Sequence, residues 1–94
     1  MLGLLAKAKA GHDKDKWYII IEETDEFVWL ADGVYKTFSK PKKKRKKHIQ
    51  ICYTKSDILS ELAAKLNEKQ PVRDEEIKRA LKLSKQSEME DSNV

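Results

Sequence analysis

The first 53 residues hold five short segments with strand-like patterns, and the connections between them are too short for a crossover helix. The clearest is residues 17–21, where aromatic and β-branched side chains suit a pleated, half-buried surface. Further strands are predicted at residues 2–8, 27–31, 34–38 and 48–53. Asp32-Gly33 predicts a tight hairpin between the third and fourth of these strands. Short strands at this spacing indicate a small, mainly β barrel of about five strands.

The hydrophobic period becomes helical after Ser56, which is a good N-cap residue. A first helix is predicted to end at Asn67, and a second to begin at Asp74 with Ile77, Ala80, Leu81 and Ser84 on one face. The polar residues 84–94 predict a disordered tail. The sequence therefore predicts a barrel at residues 1–54, a helical appendage of one or two helices at residues 55–83, and a tail at residues 84–94.

A dense run of cations lies between the fourth and fifth predicted strands. Residues 40–47 read Lys-Pro-Lys-Lys-Lys-Arg-Lys-Lys, and we expect a loop there because these side chains repel one another. The candidate site residues in this basic block are Lys40, Lys42, Lys43, Lys44, Arg45, Lys46 and Lys47. Such a block favours contact with nucleic acid, since it needs a polyanion, counterions or water. A solvated lysine run or a nuclear-address signal is the simpler alternative.

The charge distribution supports the nucleic-acid interpretation. Residues 1–55 carry 13 Lys and Arg against 7 Asp and Glu, whereas residues 56–94 carry 7 against 9. A second basic loop follows the first predicted strand, and its candidate binding residues are Lys9, Gly11, His12, Lys14 and Lys16. Glycine there lets the backbone approach a sugar-phosphate chain, although the loop alone could be an ordinary hairpin connection. We therefore expect a phosphate backbone to bind the front half of the chain.

Other chemistries find little support in the sequence. Cys52 is the only cysteine, and neither His12 nor His48 has partners at metal-ligand spacing, so we expect no metal, no cofactor and no catalytic residue. The apolar N-terminus is too short for a signal peptide, and we expect a cytoplasmic protein without a membrane partner. The aromatic residues could stack bases but fit a barrel core better; they are Trp17, Tyr18, Trp29, Tyr35 and Tyr53.

Four segments in order resemble a KOW domain, the small RNA-binding barrel of several ribosomal proteins and transcription-elongation factors. These are residues 8–14, 17–21, 30–33 and 41–48, and together the resemblance covers roughly residues 1–53. It is closest to bacterial KOW-domain proteins that are similar to the archaeal and eukaryotic large-subunit ribosomal protein family L-fourteen-e. The resemblance implies an SH3-like barrel that binds ribosomal RNA of the large subunit, or at least the ribosome, without catalysis.

The resemblance also assigns individual residues. The loop glycine of the family corresponds to Gly11, and its RNA-facing basic positions correspond to Lys9, His12 and Lys14. The Pro-Lys-Lys-Lys segment corresponds to residues 41–44. Asp15 replaces the second glycine that usually follows the loop lysine, so we expect the basic block to contribute more than half of the affinity. We hypothesise that residues 42–47 clamp phosphates while shape, rather than base identity, selects the site.

Two other binding functions remain open at this stage. A protein-interaction module would bind a ribosomal protein or RNA polymerase through the acidic, amphipathic helices. A DNA-binding accessory protein would bind duplex DNA and structured RNA equally well. An enzyme is the least favoured class.

Overall fold

The computed structural model describes residues 1–9, 16–53 and 56–92, the last eight of these by their backbone alone. It forms one antiparallel sheet followed by two helices. The elements are β1 (Leu5–Ala8), β2 (Trp17–Glu23), β3 (Phe27–Ala31), β4 (Lys42–Arg45), a 3-10 helix (Lys46–His48), β5 (Ile49–Cys52), α1 (Asp57–Asn67) and α2 (Asp74–Ser92). The strand order is β4-β3-β2-β1-β5, so four strands form a meander and the fifth returns to pair with the first. The predicted fold class, a small SH3-like barrel with C-terminal helices, is confirmed.

The central strands carry buried side chains on both faces of the sheet. Side chains alternate along a strand, so Tyr18 and Ile20 of β2 face one side and Ile19 faces the other. Tyr18 and Ile20 pack with Val28, Leu30 and other residues inside the curved sheet. Among the described residues, this barrel core holds six buried apolar side chains, and a larger cluster of ten lies between the sheet and the helices.

The helices pack directly on the outer face of the sheet. On the sheet side, Leu5, Ile19 and Ala31 form this second core. The helices contribute Leu59, Leu62, Leu66, Ile77, Ala80 and Leu81. The helical appendage predicted at residues 55–83 therefore packs on the sheet and covers strand residues that would otherwise be exposed to water. The predicted N-cap is confirmed, since the Ser56 hydroxyl oxygen accepts a hydrogen bond from the Leu59 N–H at 3.2 Å.

The predicted strand at residues 34–38 is wrong. The Asp32 carboxylate accepts hydrogen bonds from the backbone N–H groups of Val34 and Lys36, both at 2.8 Å. The Lys36 carbonyl oxygen in turn accepts from the N–H groups of Asp32 and Gly33. These bonds close a compact loop and use the backbone groups that a strand would need for pairing.

The predicted basic loop at residues 40–47 is also wrong in its secondary structure. Residues 42–45 form β4, which pairs with β3 in the register Phe27 to Arg45 and Leu30 to Lys42. Repulsion between the cations does not prevent this strand, because alternate side chains point to opposite faces. The consequences for binding are described below.

The backbone of α2 continues to Ser92 and so enters the segment that the sequence predicts to be a disordered tail. This stretch contains no glycine or proline and is rich in Lys, Glu, Gln and Met, which are favourable in helices. Residues 93 and 94 lie outside the described part of the chain. Among the described residues, no helix combines the length and the apolar character that crossing a membrane requires.

Candidate nucleic-acid interface

Strand β4 divides the basic block between two faces of the sheet. Lys43 and Arg45 are exposed, and they lie directly opposite Trp29 and Phe27 of β3. Paired residues of antiparallel strands project to the same side, so two cations and two aromatic rings share one surface. We call this surface, formed by Phe27, Trp29, Lys43 and Arg45, the outer cationic face.

The aromatic rings hold the cations of the outer cationic face. The Lys43 Nζ lies 4.2 Å from the Phe27 ring centroid and 5.5 Å from that of Trp29. The Arg45 guanidinium carbon lies 5.6 Å from the Phe27 centroid. Cation–π attraction of about 0.5–1 kcal/mol at exposed sites offsets part of the repulsion between neighbouring cations. The side chains are therefore ordered before any ligand binds, while their charges remain accessible to water.

Lys42 and Lys44 occupy the opposite face of β4. They are half-buried and pair with Leu30 and Val28, which belong to the barrel core. Burial lowers the pKa of Lys42, and the neighbouring Lys44 charge lowers it further. Such lysines lay their aliphatic stems along apolar surface and extend only the ammonium group to water. The sequence suggests that residues 42–47 form a single phosphate clamp. The strand instead distributes the side chains of residues 42–45 between two faces of the sheet.

Lys46 follows β4 and is partly neutralised within the protein. Its Nζ lies 3.1 Å from a Glu23 carboxylate oxygen, while the other Glu23 oxygen accepts a hydrogen bond from the N-terminal ammonium group of Met1 at 2.9 Å. Hydrogen bonding from that ammonium group, followed by that from Lys46, lowers the pKa of Glu23 against the opposing effect of burial. Lys47 is exposed. Lys46 therefore anchors the end of β4, and Lys47 remains available to a ligand.

The structure places Lys9, at the start of the second predicted basic region, beside the end of the basic block. The Lys9 N–H donates a hydrogen bond to the His48 carbonyl oxygen at 3.0 Å, next to the β1–β5 pairing of Ala8 with Ile49. Lys9, Lys47 and His48 are exposed, so the start of the β1–β2 connection continues the basic surface that the 3-10 helix presents. Gly11, His12, Lys14 and Asp15 lie outside the described residues.

Two predicted lysines lie away from this junction. Lys40 is exposed in the segment that leads into β4, where its N–H donates a hydrogen bond to the Thr37 carbonyl oxygen at 3.2 Å. Lys16 is exposed immediately before β2. Of the predicted site residues that are described, Lys9, Lys16, Lys40, Lys43, Arg45 and Lys47 are thus exposed, whereas Lys42, Lys44 and Lys46 are half-buried.

The aromatic residues fall into three environments. Tyr18 is 2% exposed in the barrel core, and burial followed by the charge of Asp32 raises its pKa. Trp17 and Trp29 are half-buried, with the Lys7 Nζ 5.2 Å from the Trp17 ring centroid. Tyr35 and Tyr53 are 83% and 75% exposed. The core assignment therefore holds for Tyr18 but not for Tyr35 and Tyr53.

Phe27 is a site residue that the sequence reasoning missed. The sequence predicts only that it lies in a strand, and its contact with Lys43 and Arg45 depends on the β3–β4 register. The sequence does not indicate that register, because it predicts a loop for the basic block.

Within the described residues no cluster of three or more His, Cys, Asp or Glu side chains could hold a metal ion. No protein-family model matches the chain, and a search of curated proteins also finds no match.

Proposed function

We propose that this protein binds RNA without catalysis and associates with the large ribosomal subunit in the cytoplasm. The observation that carries the proposal is the outer cationic face, where aromatic rings order two exposed cations on a regular strand. Ordered, water-accessible cations lose little side-chain entropy on meeting phosphates, and each contact releases counterions. The ribosomal assignment rests on the resemblance of residues 1–53 to KOW domains.

The basic surface extends beyond β4, which favours a polynucleotide over a small anion. It continues from Lys43 and Arg45 through Lys47 and His48 to Lys9. At the end of β4, Glu26, Arg45, Lys46 and Lys47 line a recess of about 340 Å³. Several phosphates spaced along one backbone could contact this surface at once, and such contacts supply affinity without reading sequence.

The geometry gives less support to protein docking through the helices. The apolar residues of α1 and α2 that would bind a partner are buried against the sheet, as Leu62 and Ile77 show with 3% and 0% exposure. Their outward surfaces carry mixed charges, among them the ion pair between Lys65 and Glu76. We therefore place RNA binding first.

The ribosomal part of the proposal predicts co-sedimentation. The tagged 94-residue chain, expressed in cells whose lysate is separated on a sucrose gradient, is expected to migrate with the large subunit at low salt. It is expected to move to the top of the gradient at high salt, because phosphate contacts weaken as salt rises. A position at the top of the gradient under both conditions would contradict the ribosomal assignment. So would a chain that, after ribosomes are depleted, associates with bulk DNA as strongly as it associates with ribosomes.

A further inference from the structure

An open groove of about 1120 Å³ borders the outer cationic face. One wall is the sheet, with Ile21 and Trp29; a second is the segment before β4, with Phe38 and Pro41; and Pro71 follows α1 on the third. This volume exceeds the range of about 300–1,000 Å³ that small-molecule sites occupy. The groove is thus wide enough for a planar, partly apolar group attached to a longer ligand.

Trp29 connects this groove to the outer cationic face. Its half-buried side chain lines the groove, and the Lys43 Nζ lies 5.5 Å from its ring centroid. A ligand whose phosphates meet Lys43 could therefore place a neighbouring group against the indole ring. Aromatic side chains beside cations are the arrangement with which proteins bind unpaired bases.

Two exposed lysines flank the groove on different walls. Lys40 lies in the segment before β4, and Lys69 lies in the connection between α1 and α2. Within the described ranges, neither side chain makes an ion pair with a carboxylate. Together with Lys43 they place positive charge on several sides of the groove, which complements a ligand with a polyanionic backbone.

Lys69 is held in a costly backbone conformation. Its φ of 57° is left-handed, and its N–H donates a hydrogen bond to the Leu66 carbonyl oxygen at the end of α1. Glycine is the usual residue at such a helix terminus because it has no Cβ to strain the backbone. A lysine at this strained position therefore indicates that its side chain has a function.

Glu22 supplies an acceptor beside the indole ring. It is exposed, lines the groove and pairs with Trp29 across the β2–β3 ladder. A carboxylate accepts hydrogen bonds from the exocyclic amino groups of bases, as acidic side chains do with cytosine. Cytosine, adenine and guanine each carry such an amino group and uracil does not, so Glu22 would favour those three bases over uracil.

We infer that this groove binds an unpaired RNA base that stacks on Trp29. Lys40 and Lys69 contact the flanking phosphates, and Glu22 favours bases with an exocyclic amino group over uracil. This inference rests on the proposed RNA-binding function and adds to it a preference for single strands. It assigns base selectivity to a site outside the basic block.

The test compares single-stranded and duplex RNA in equilibrium binding. Fluorescently labelled oligocytidylate, oligouridylate and a blunt-ended RNA duplex are titrated with the full chain, with Trp29→Leu, and with Tyr53→Leu as a matched aromatic control. We expect Trp29→Leu to weaken oligocytidylate binding about tenfold, a typical loss for one stacked base. Duplex binding should fall by a smaller factor, because Trp29 also contacts Lys43 of the outer cationic face, and Tyr53→Leu should behave as the unsubstituted chain. Circular dichroism establishes that each variant is folded.

Substitutions of Glu22 and Lys69 test the other contacts. Glu22→Thr should reduce the preference for oligocytidylate over oligouridylate, whatever it does to both affinities. Lys69→Gly should raise the midpoint of thermal unfolding while it lowers the salt slope of oligocytidylate binding by about 0.7. An unchanged slope in that variant would contradict the role of Lys69.

The outcomes separate this inference from the function on which it depends. If Trp29→Leu weakens oligocytidylate and duplex binding equally, or weakens neither, the groove does not bind an unpaired base. The proposed RNA-binding function would remain. Failure of the unsubstituted chain to bind any of the three RNAs would overturn the proposed function itself.

Discussion

Deletion of residues 56–94 is expected to abolish cooperative folding of the sheet. The deletion exposes Leu5, Ile19 and Ala31 on the outer face of the sheet, where each is 0% exposed in the intact chain. A 94-residue domain has only about 5–15 kcal/mol of stability, and loss of an entire core exceeds that margin. Thermal unfolding followed by tryptophan fluorescence should show no cooperative transition in the truncated chain.

A single substitution tests the same claim without removing an element. Leu62→Ala leaves a cavity between α1 and the sheet and should lower the free energy of unfolding by about 2–5 kcal/mol. Because one cooperative unit unfolds at once, tryptophan fluorescence from the strands and helical circular dichroism should give the same midpoint. A truncated chain with the fluorescence midpoint of the full chain would show that the sheet folds without the helices.

Gly33→Ala is expected to lower the free energy of unfolding by about 2–4 kcal/mol, the sum of left-handed strain and overpacking. Gly33 has a φ of 80°, and a Cβ there would lie 2.5 Å from the Asp74 carbonyl oxygen. That oxygen belongs to the start of α2 and cannot move freely, because the Asp74 carboxylate accepts the Phe38 N–H at 2.8 Å. Urea denaturation measures the loss.

Val34→Ala provides the matched control for that prediction. Val34 follows Gly33 in the same loop but is 57% exposed, so its truncation should change the free energy of unfolding by less than about 0.5 kcal/mol. Equal effects of the two substitutions would show that the contact between the loop and α2 does not contribute to stability.

Much of the fold could be predicted from periodicity. Strands β2, β3 and β5, the start of both helices and the buried face of α2 each show a local pattern of the right period. The fourth strand could not be recognised in this way, because Lys is depleted in strands and a run of cations indicates a solvated loop. Its stabilising contacts come from Phe27 and Trp29, more than ten residues earlier in the chain.

The candidate site was only partly accessible to sequence reasoning. Composition identifies the cations but not their orientation. Only a strand places Lys42 and Lys44 on one face of the sheet and Lys43 and Arg45 on the other. The contact of Lys9 with His48 depends on the pairing of β1 with β5. The groove is less accessible still, because its walls come from the sheet, the segment before β4 and the end of α1. Tertiary packing alone creates it.

The measurement that tests the central claim most directly is the salt dependence of RNA binding by a variant of the outer cationic face. Lys43→Gln with Arg45→Gln removes the two ordered cations and retains their stems. Arg79→Gln with Lys82→Gln removes the same charge from exposed positions of α2 and is the matched control. Binding to purified large-subunit ribosomal RNA is measured over a range of salt concentrations.

If Lys43 and Arg45 contact phosphates, the plot of log K against log salt should become shallower by about 1.4 to 1.8, or about 0.7 to 0.9 for each lost contact. The α2 variant should keep the slope of the unsubstituted chain. Equal slopes for all three proteins, or a larger change in the α2 variant, would contradict RNA binding through this face of the sheet.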